Sequence, residues 1–227
     1  MQRLLDTLWN GLKRWKTSQG LEEIPQQGRV FLHVGCGNSR KPNVGRGFLG
    51  DEWQEVRLDI DPAATPDIVS SILSMPMVPT GALDAVYCAH NIEHLYPHEV
   101  PIALAEFLRV LKPDGILVLA CPDLQALGQL IAADRLDEYI VFPNIGPVAA
   151  LDIIYGFRPA LAQGNFFMAH RTGFTLRTLV ESARSAGFRS VIGKRVPLTL
   201  ELWMVATKTL VEENELQQLA EIHLPTQ

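Results

Sequence analysis

The stretch "AHNIEHLYPH" (89–98) carries four side chains suited to proton or metal chemistry: His90, Glu93, His94 and His98. On one helix the four-residue steps would align all three imidazoles. His90-x-x-Glu93-His94 also matches the H-x-x-E-H ligand pattern of one zinc peptidase class. The flanks oppose that reading. "LDAVYCA" before His90 is strand-like, and Pro97 suits the first turn of a following helix. The stretch then spans a strand end, a loop and a helix start, and the expectation is the rim of a ligand pocket. Cys36, Cys88 and Cys121 also fall near strand ends. No CxxC or CxxH pair accompanies them, so they read as small buried residues and no metal is expected.

A second candidate lies in "FLHVGCGNS", where an apolar run meets Gly35-Cys36-Gly37. Glycines after a strand permit a tight turn and let a ligand approach the main chain. The nicotinamide-dinucleotide fingerprint needs a further glycine at position 40, which is Arg40. Asp59 ends the next strand, 22 residues after Gly37. A carboxylate there can accept the two hydroxyls of a ribose. The competing reading has Asp59 and Asp61 opening a turn before Pro62.

The elements that must position these residues alternate. Strands are expected at 29–34, 55–60, 66–72 (the weakest), 83–89 and 115–122, then in "RSVIGKR" and "ELWMVATK". A helix is expected in "PHEVPIALAEFLRVLKPDG", closed by Pro113, and another over 175–188, ended by Gly187. The alternation implies a doubly wound α/β sheet. Residues 123–170 break the rhythm and have the length of a helical hairpin with loops, a lid-like insertion. Tyr155, Phe157, Phe166 and Phe167 in it would wall an apolar pocket or pack the insertion on the body. Residues 1–20 read as an amphipathic helix and the tail from 210 as a polar, mostly exposed one. The first of these would pack on the body or on a second copy of the chain in a homodimer. The other reading is peripheral membrane contact through residues 1–16.

The 227 residues fit one domain, and 47% hydrophobic residues supply a large single core. A net charge of −5 with no long basic tract gives no expectation of nucleic-acid binding. Three cysteines suit a reducing, cytoplasmic setting, and no stretch reads as a transmembrane segment.

The ordered blocks "HVGCG", "RLDIDP", "LDAVYCAHNIEHL", "ALAEFLRVLKPDGILVLACPD" and "HRTGFTLRTLVESARSAGF" resemble the class I S-adenosylmethionine-dependent methyltransferases of the small-molecule type. The resemblance covers roughly residues 29–122 and 170–207. It implies a mostly parallel, seven-stranded Rossmann-like sheet with helices on both faces, and S-adenosylmethionine as cofactor. Gly35, Cys36 and Gly37 would contact its methionine part. Asp59 would hold the ribose and Ile60 would flank the adenine, with Ser71 and Ile72 at the adenine edge. Ala89 and His90 would close the methionine side. The methyl group would pass by in-line displacement to a small-molecule or sugar- or lipid-linked acceptor. His94, His90 and His170 are the candidate bases. Three positions depart from the family: His33 replaces the usual acid, Ser71 an Asp, and Ser39 the third small residue of the glycine turn. They leave a non-catalytic binder of S-adenosylmethionine or S-adenosylhomocysteine as the alternative, and a zinc hydrolase as a third.

Overall fold

A computed structural model describes residues 14–17, 20–23, 28–142 and 146–226. Seven strands make the central sheet: β1 (Arg29–Val34), β2 (Trp53–Asp59), β3 (Ile68–Val69), β4 (Leu83–Ala89), β5 (Leu111–Pro122), β6 (Ser190–Val196) and β7 (Glu201–Thr207). Their order is β6-β7-β5-β4-β1-β2-β3. The first five run parallel, and β7 is antiparallel to both β5 and β6. β1 and β4 are apolar almost throughout because both faces are covered.

One face packs against helices α1 (Val100–Val110) and α5 (Leu176–Ser185). Leu104, Phe107, Leu179 and Ala183 meet Leu32, Val86, Leu117 and Met204 there. Apolar residues recurring every three or four positions give each helix this stripe. Thr175 caps α5 by accepting from the Thr178 N–H. α1 stops at Val110 because Leu111 already pairs with Leu83, so β5 begins four residues earlier than its apolar run suggests.

The other face is covered differently. The link between β1 and β2 contains two single 3₁₀ turns, Lys41–Asn43 and Arg46–Phe48, where Pro42 and the three glycines after it disfavour a longer helix. Phe48 stacks on Phe31, and the ring of Trp53 meets both edge-on. The C-terminal helix α6 (Glu213–His223) closes this face with Leu219, Ala220 and Leu224. It docks by this stripe while seven of its eleven residues stay exposed, as its polar composition suggests.

The insertion also differs from a helical hairpin. It runs α2 (Leu124–Ala132), a two-stranded ribbon (Tyr139–Phe142 with Gly146–Ala149), α3 (Ala150–Tyr155) and α4 (Arg158–Ala162). Leu127, Val148, Ala150 and Ile153 form its small core. Tyr155, Phe157, Phe166 and Phe167 are exposed, so the aromatic rings do not pack the insertion. Of the N-terminal helix expected over 1–20, residues 1–13 lie outside the described residues. Residues 18–19 lie outside them too; Arg14–Thr17 is a strand paired antiparallel with Gly20–Glu23, so that part is not the expected helix. Among the described residues no helix is long and apolar enough to cross a membrane.

Candidate functional site

The carboxyl ends of β1, β2, β3 and β4 bring the candidate residues to one edge of the sheet. Gly35 and Gly37 both take left-handed φ values, 60° and 48°. A Cβ on Gly35 would lie 1.8 Å from Asn91 Nδ2, so only glycine fits beside the segment after β4. A Cβ on Gly37 would meet nothing within 4 Å, which leaves open space in front of its main chain. Cys36 between them is buried, and burial pushes its thiol up to about 11, so it stays protonated.

Two β2 side chains hold this turn. Asp59 Oδ2 accepts the Gly37 N–H at 2.7 Å and Oδ1 accepts the Asp61 N–H at 2.9 Å. A carboxylate oxygen has two lone-pair directions, so each can take one more donor. Asp59 thus starts the turn and keeps acceptor capacity on both oxygens. Arg57 is buried and donates to the carbonyls of Gly37, Ser39, Ala64 and Thr65. One planar guanidinium fastens the glycine turn to the loop after β2.

His33 lies on β1, and its Nδ1 is 2.7 Å from Glu55 Oε1. Glu55 Oε2 accepts the Lys41 N–H. The parallel register puts Glu55 opposite Phe31, one strand across, so β2 supplies the carboxylate that β1 lacks. Ile60 is 48% exposed, an apolar surface directly after Asp59. Ile72 is buried and the Ser71 hydroxyl accepts the Leu73 N–H, in the turn after β3.

The segment after β4 departs from any helical reading of its histidines. His90 takes φ 50°, and the single 3₁₀ turn Ile92–His94 follows. His90 is thereby aimed at β7, where its Nε2 lies 2.7 Å from Glu201 Oε1; its Nδ1 is 3.6 Å from Glu93 Oε1. Desolvation opposes a charge on this ring, yet the two carboxylates outweigh it and raise the His90 pKa to about 10. His98 lies in the turn before α1, exposed and stacked on Tyr96.

His94 and His170 meet each other instead. The chain returning from the insertion docks on the 3₁₀ turn: the Arg171 and Thr172 N–H groups donate to the Glu93 carbonyl, and Arg171 Nη1 donates to the His94 carbonyl. The two imidazoles stand edge to face with centroids 4.8 Å apart. His94 Nδ1 is 3.1 Å from the Ala169 carbonyl and His170 Nδ1 is 2.9 Å from the Ile153 carbonyl. Burial holds the His170 pKa below the ordinary histidine value. Glu93 completes the group. Its carboxylate is 1% exposed and neither oxygen has a hydrogen-bond partner. Burial alone would raise its pKa, but the surrounding imidazoles, His90 foremost, bring it below the usual carboxylate range.

The sequence shows His94 and His170 only as separate candidates, and Glu93 only within the H-x-x-E-H pattern that its flanks oppose. Asn91, Arg57, Glu55 and Glu201 carried no local signal, because each acts through residues outside its own element. The three cysteines are buried singly and join no metal-ligand group among the described residues.

Residues 32–119 match the family model described as "Methyltransferase domain". No curated protein matches the chain in sequence. Among solved structures, one similar protein is the 1,6-didemethyltoxoflavin-N1-methyltransferase of Burkholderia thailandensis, solved with 1,6-didemethyltoxoflavin and S-adenosylhomocysteine. It has 19% identity and a TM-score of 0.52, with 81% of this chain and 72% of that one covered. An S-adenosylmethionine-dependent methyltransferase of Methanosarcina mazei has 18% identity and a TM-score of 0.54, covering 82% and 95%. Another, from Archaeoglobus fulgidus, has 16% identity and a TM-score of 0.51, covering 91% and 92%.

Proposed function

We propose that this chain, a class I S-adenosylmethionine-dependent methyltransferase, delivers the methyl group to a small-molecule acceptor beside Glu93, His94 and His170. Its sheet order, read from the far edge as β3-β2-β1-β4-β5-β7-β6, is the class I arrangement. When bound, S-adenosylmethionine supplies an electrophilic methyl group on a sulfonium. The chain's own contribution is binding, alignment and exclusion of water.

The observation that carries the reading is the turn at Gly37. Open space faces its left-handed main chain, and Asp59 behind it keeps acceptor capacity on both oxygens. In this reading Gly35, Cys36 and Gly37 line the methionine part, Asp59 accepts the ribose hydroxyls, and the exposed Ile60 covers one adenine face. Ser71 and Ile72 border the adenine edge, while Ala89 and His90 close the methionine side. His90, held as an imidazolium, has no lone pair to act as a base near neutral pH. Any acceptor proton therefore leaves on the side of Glu93, His94 and His170, away from His90. The toxoflavin precursor bound by the Burkholderia enzyme supports a small, flat acceptor over a macromolecule.

Calorimetry with S-adenosylmethionine and S-adenosylhomocysteine tests this. One site per chain is expected, weakened about 10-fold or more in Asp59→Asn, since a hydrogen bond to a charged group is worth about 1.5–3 kcal/mol. Absence of binding at millimolar ligand would reject the proposal.

A further inference from the structure

We propose that Glu93, His94 and His170 form a binding site for one first-row divalent transition-metal ion, with Zn²⁺ the best match to two imidazoles and a carboxylate. One ligand atom from each residue lies within 4.8 Å of the other two. Three ligands bound to one ion at about 2.1 Å stand roughly 3.4 Å apart, so the side chains need to close by little more than about 1 Å.

Two further observations point the same way. First, a carbonyl oxygen can only accept, so the Nδ1 of His94 and of His170 must carry a proton to bond Ala169 and Ile153. That fixes the lone pair of each neutral ring on Nε2. Backing of one ring nitrogen by a carbonyl is the usual support of a metal-bound histidine. Second, Glu93 is buried without a hydrogen bond to either oxygen. Burying a carboxylate in that way is costly unless a cation or donor compensates it. His90 offsets the Glu93 charge from 3.6 Å but hydrogen-bonds neither oxygen, so both keep lone pairs to offer. A bound cation would satisfy them.

The zinc-peptidase pattern in the sequence named the wrong partner. His90 bonds Glu201 and stays 3.6 Å from Glu93, and His170, 80 residues after His90, takes its place in the group. Three protein ligands leave positions for a ligand from solution, and both histidines are partly exposed. An acceptor hydroxyl bound there would release its proton to water more readily, its electron pair staying on oxygen. The ion thus deepens the acceptor-side role proposed above, but its binding requires neither cofactor nor acceptor. The two readings can therefore fail separately.

The test uses the full chain, stripped with chelator, dialysed and titrated calorimetrically with ZnCl₂. One ion per chain is expected at micromolar or tighter affinity. Glu93→Gln and His170→Gln should each weaken it by at least about 10-fold, and His98→Gln should leave it unchanged. No binding at millimolar Zn²⁺ overturns the site, as does binding that survives in both variants or is lost with His98. Should the variants not fold, Co²⁺ absorption of the unaltered protein decides. An intense visible band of a four- or five-coordinate ion supports the site, and a weak spectrum like that of the aqueous ion overturns it.

Discussion

At His90 a left-handed backbone, rare outside glycine, aims an imidazole between two carboxylates. The sign of the resulting effect is definite. The folded pKa, about 10, lies above the ordinary value near 6.5, so the charged ring is fully present below the ordinary value and is lost only as pH rises through about 10. Imidazole NMR should find His90 still protonated at about pH 8, and Glu201→Gln should lower its titration by about one unit or more. Titration of the unaltered protein near the ordinary value would contradict the arrangement. At Gly37 the space in front of the turn sets a second expectation. Gly37→Ala places a methyl group where ligand would approach the main chain, and strains a φ of 48° by about 1–2 kcal/mol. Calorimetry should find S-adenosylhomocysteine binding greatly weakened while thermal unfolding shifts only by that amount. Undiminished binding would mean the ligand lies elsewhere.

The C-terminal helix α6 is mostly exposed, as its composition suggests, and still docks through a narrow stripe. Most of its residues are polar, yet it closes a sheet face that the short 3₁₀ turns leave open. A Cβ on Gly47 would lie 2.1 Å from the His223 ring, so the helix and the first connection are in direct contact. Arg46 also donates to the Glu221 carbonyl. His223 is buried there, and burial, helped by Arg29 and Arg46, lowers its pKa to about 4. In this case the folded pKa is depressed. Below the ordinary value the unfolded chain takes up a proton that the folded one refuses, and stability falls until pH reaches about 4. The loss amounts to about 3 kcal/mol. Urea unfolding between pH 7 and pH 4 should show that dependence, and His223→Phe should flatten it. An unchanged slope in the variant would place the dependence on other groups.

Across the whole molecule, the sequence determined the sheet and which candidate residues gather at its carboxyl edge. β1 and β4 were read to the residue, because a strand buried on both faces must be apolar throughout and glycine or a polar turn must end it. Gly35, Gly37 and Asp59 were legible for the same reason: parallel strands deliver their ends to one edge, whatever covers the faces. The ribbon in the insertion was not legible. Its second strand, Gly146–Ala149, is glycine, proline, valine and alanine, with no strand signature of its own. Only the tertiary structure decided that His170 joins His94 near Glu93. That pairing depends on Arg171 and Thr172 docking their amides on a carbonyl almost 80 residues earlier, a contact set by the path of the insertion. Glu55 beside His33 and Glu201 beside His90 depend likewise on strand register and sheet order. Local periodicity records which face a side chain takes. It does not record which distant strand or loop will stand opposite, because chain closure and packing fix that only when the core assembles.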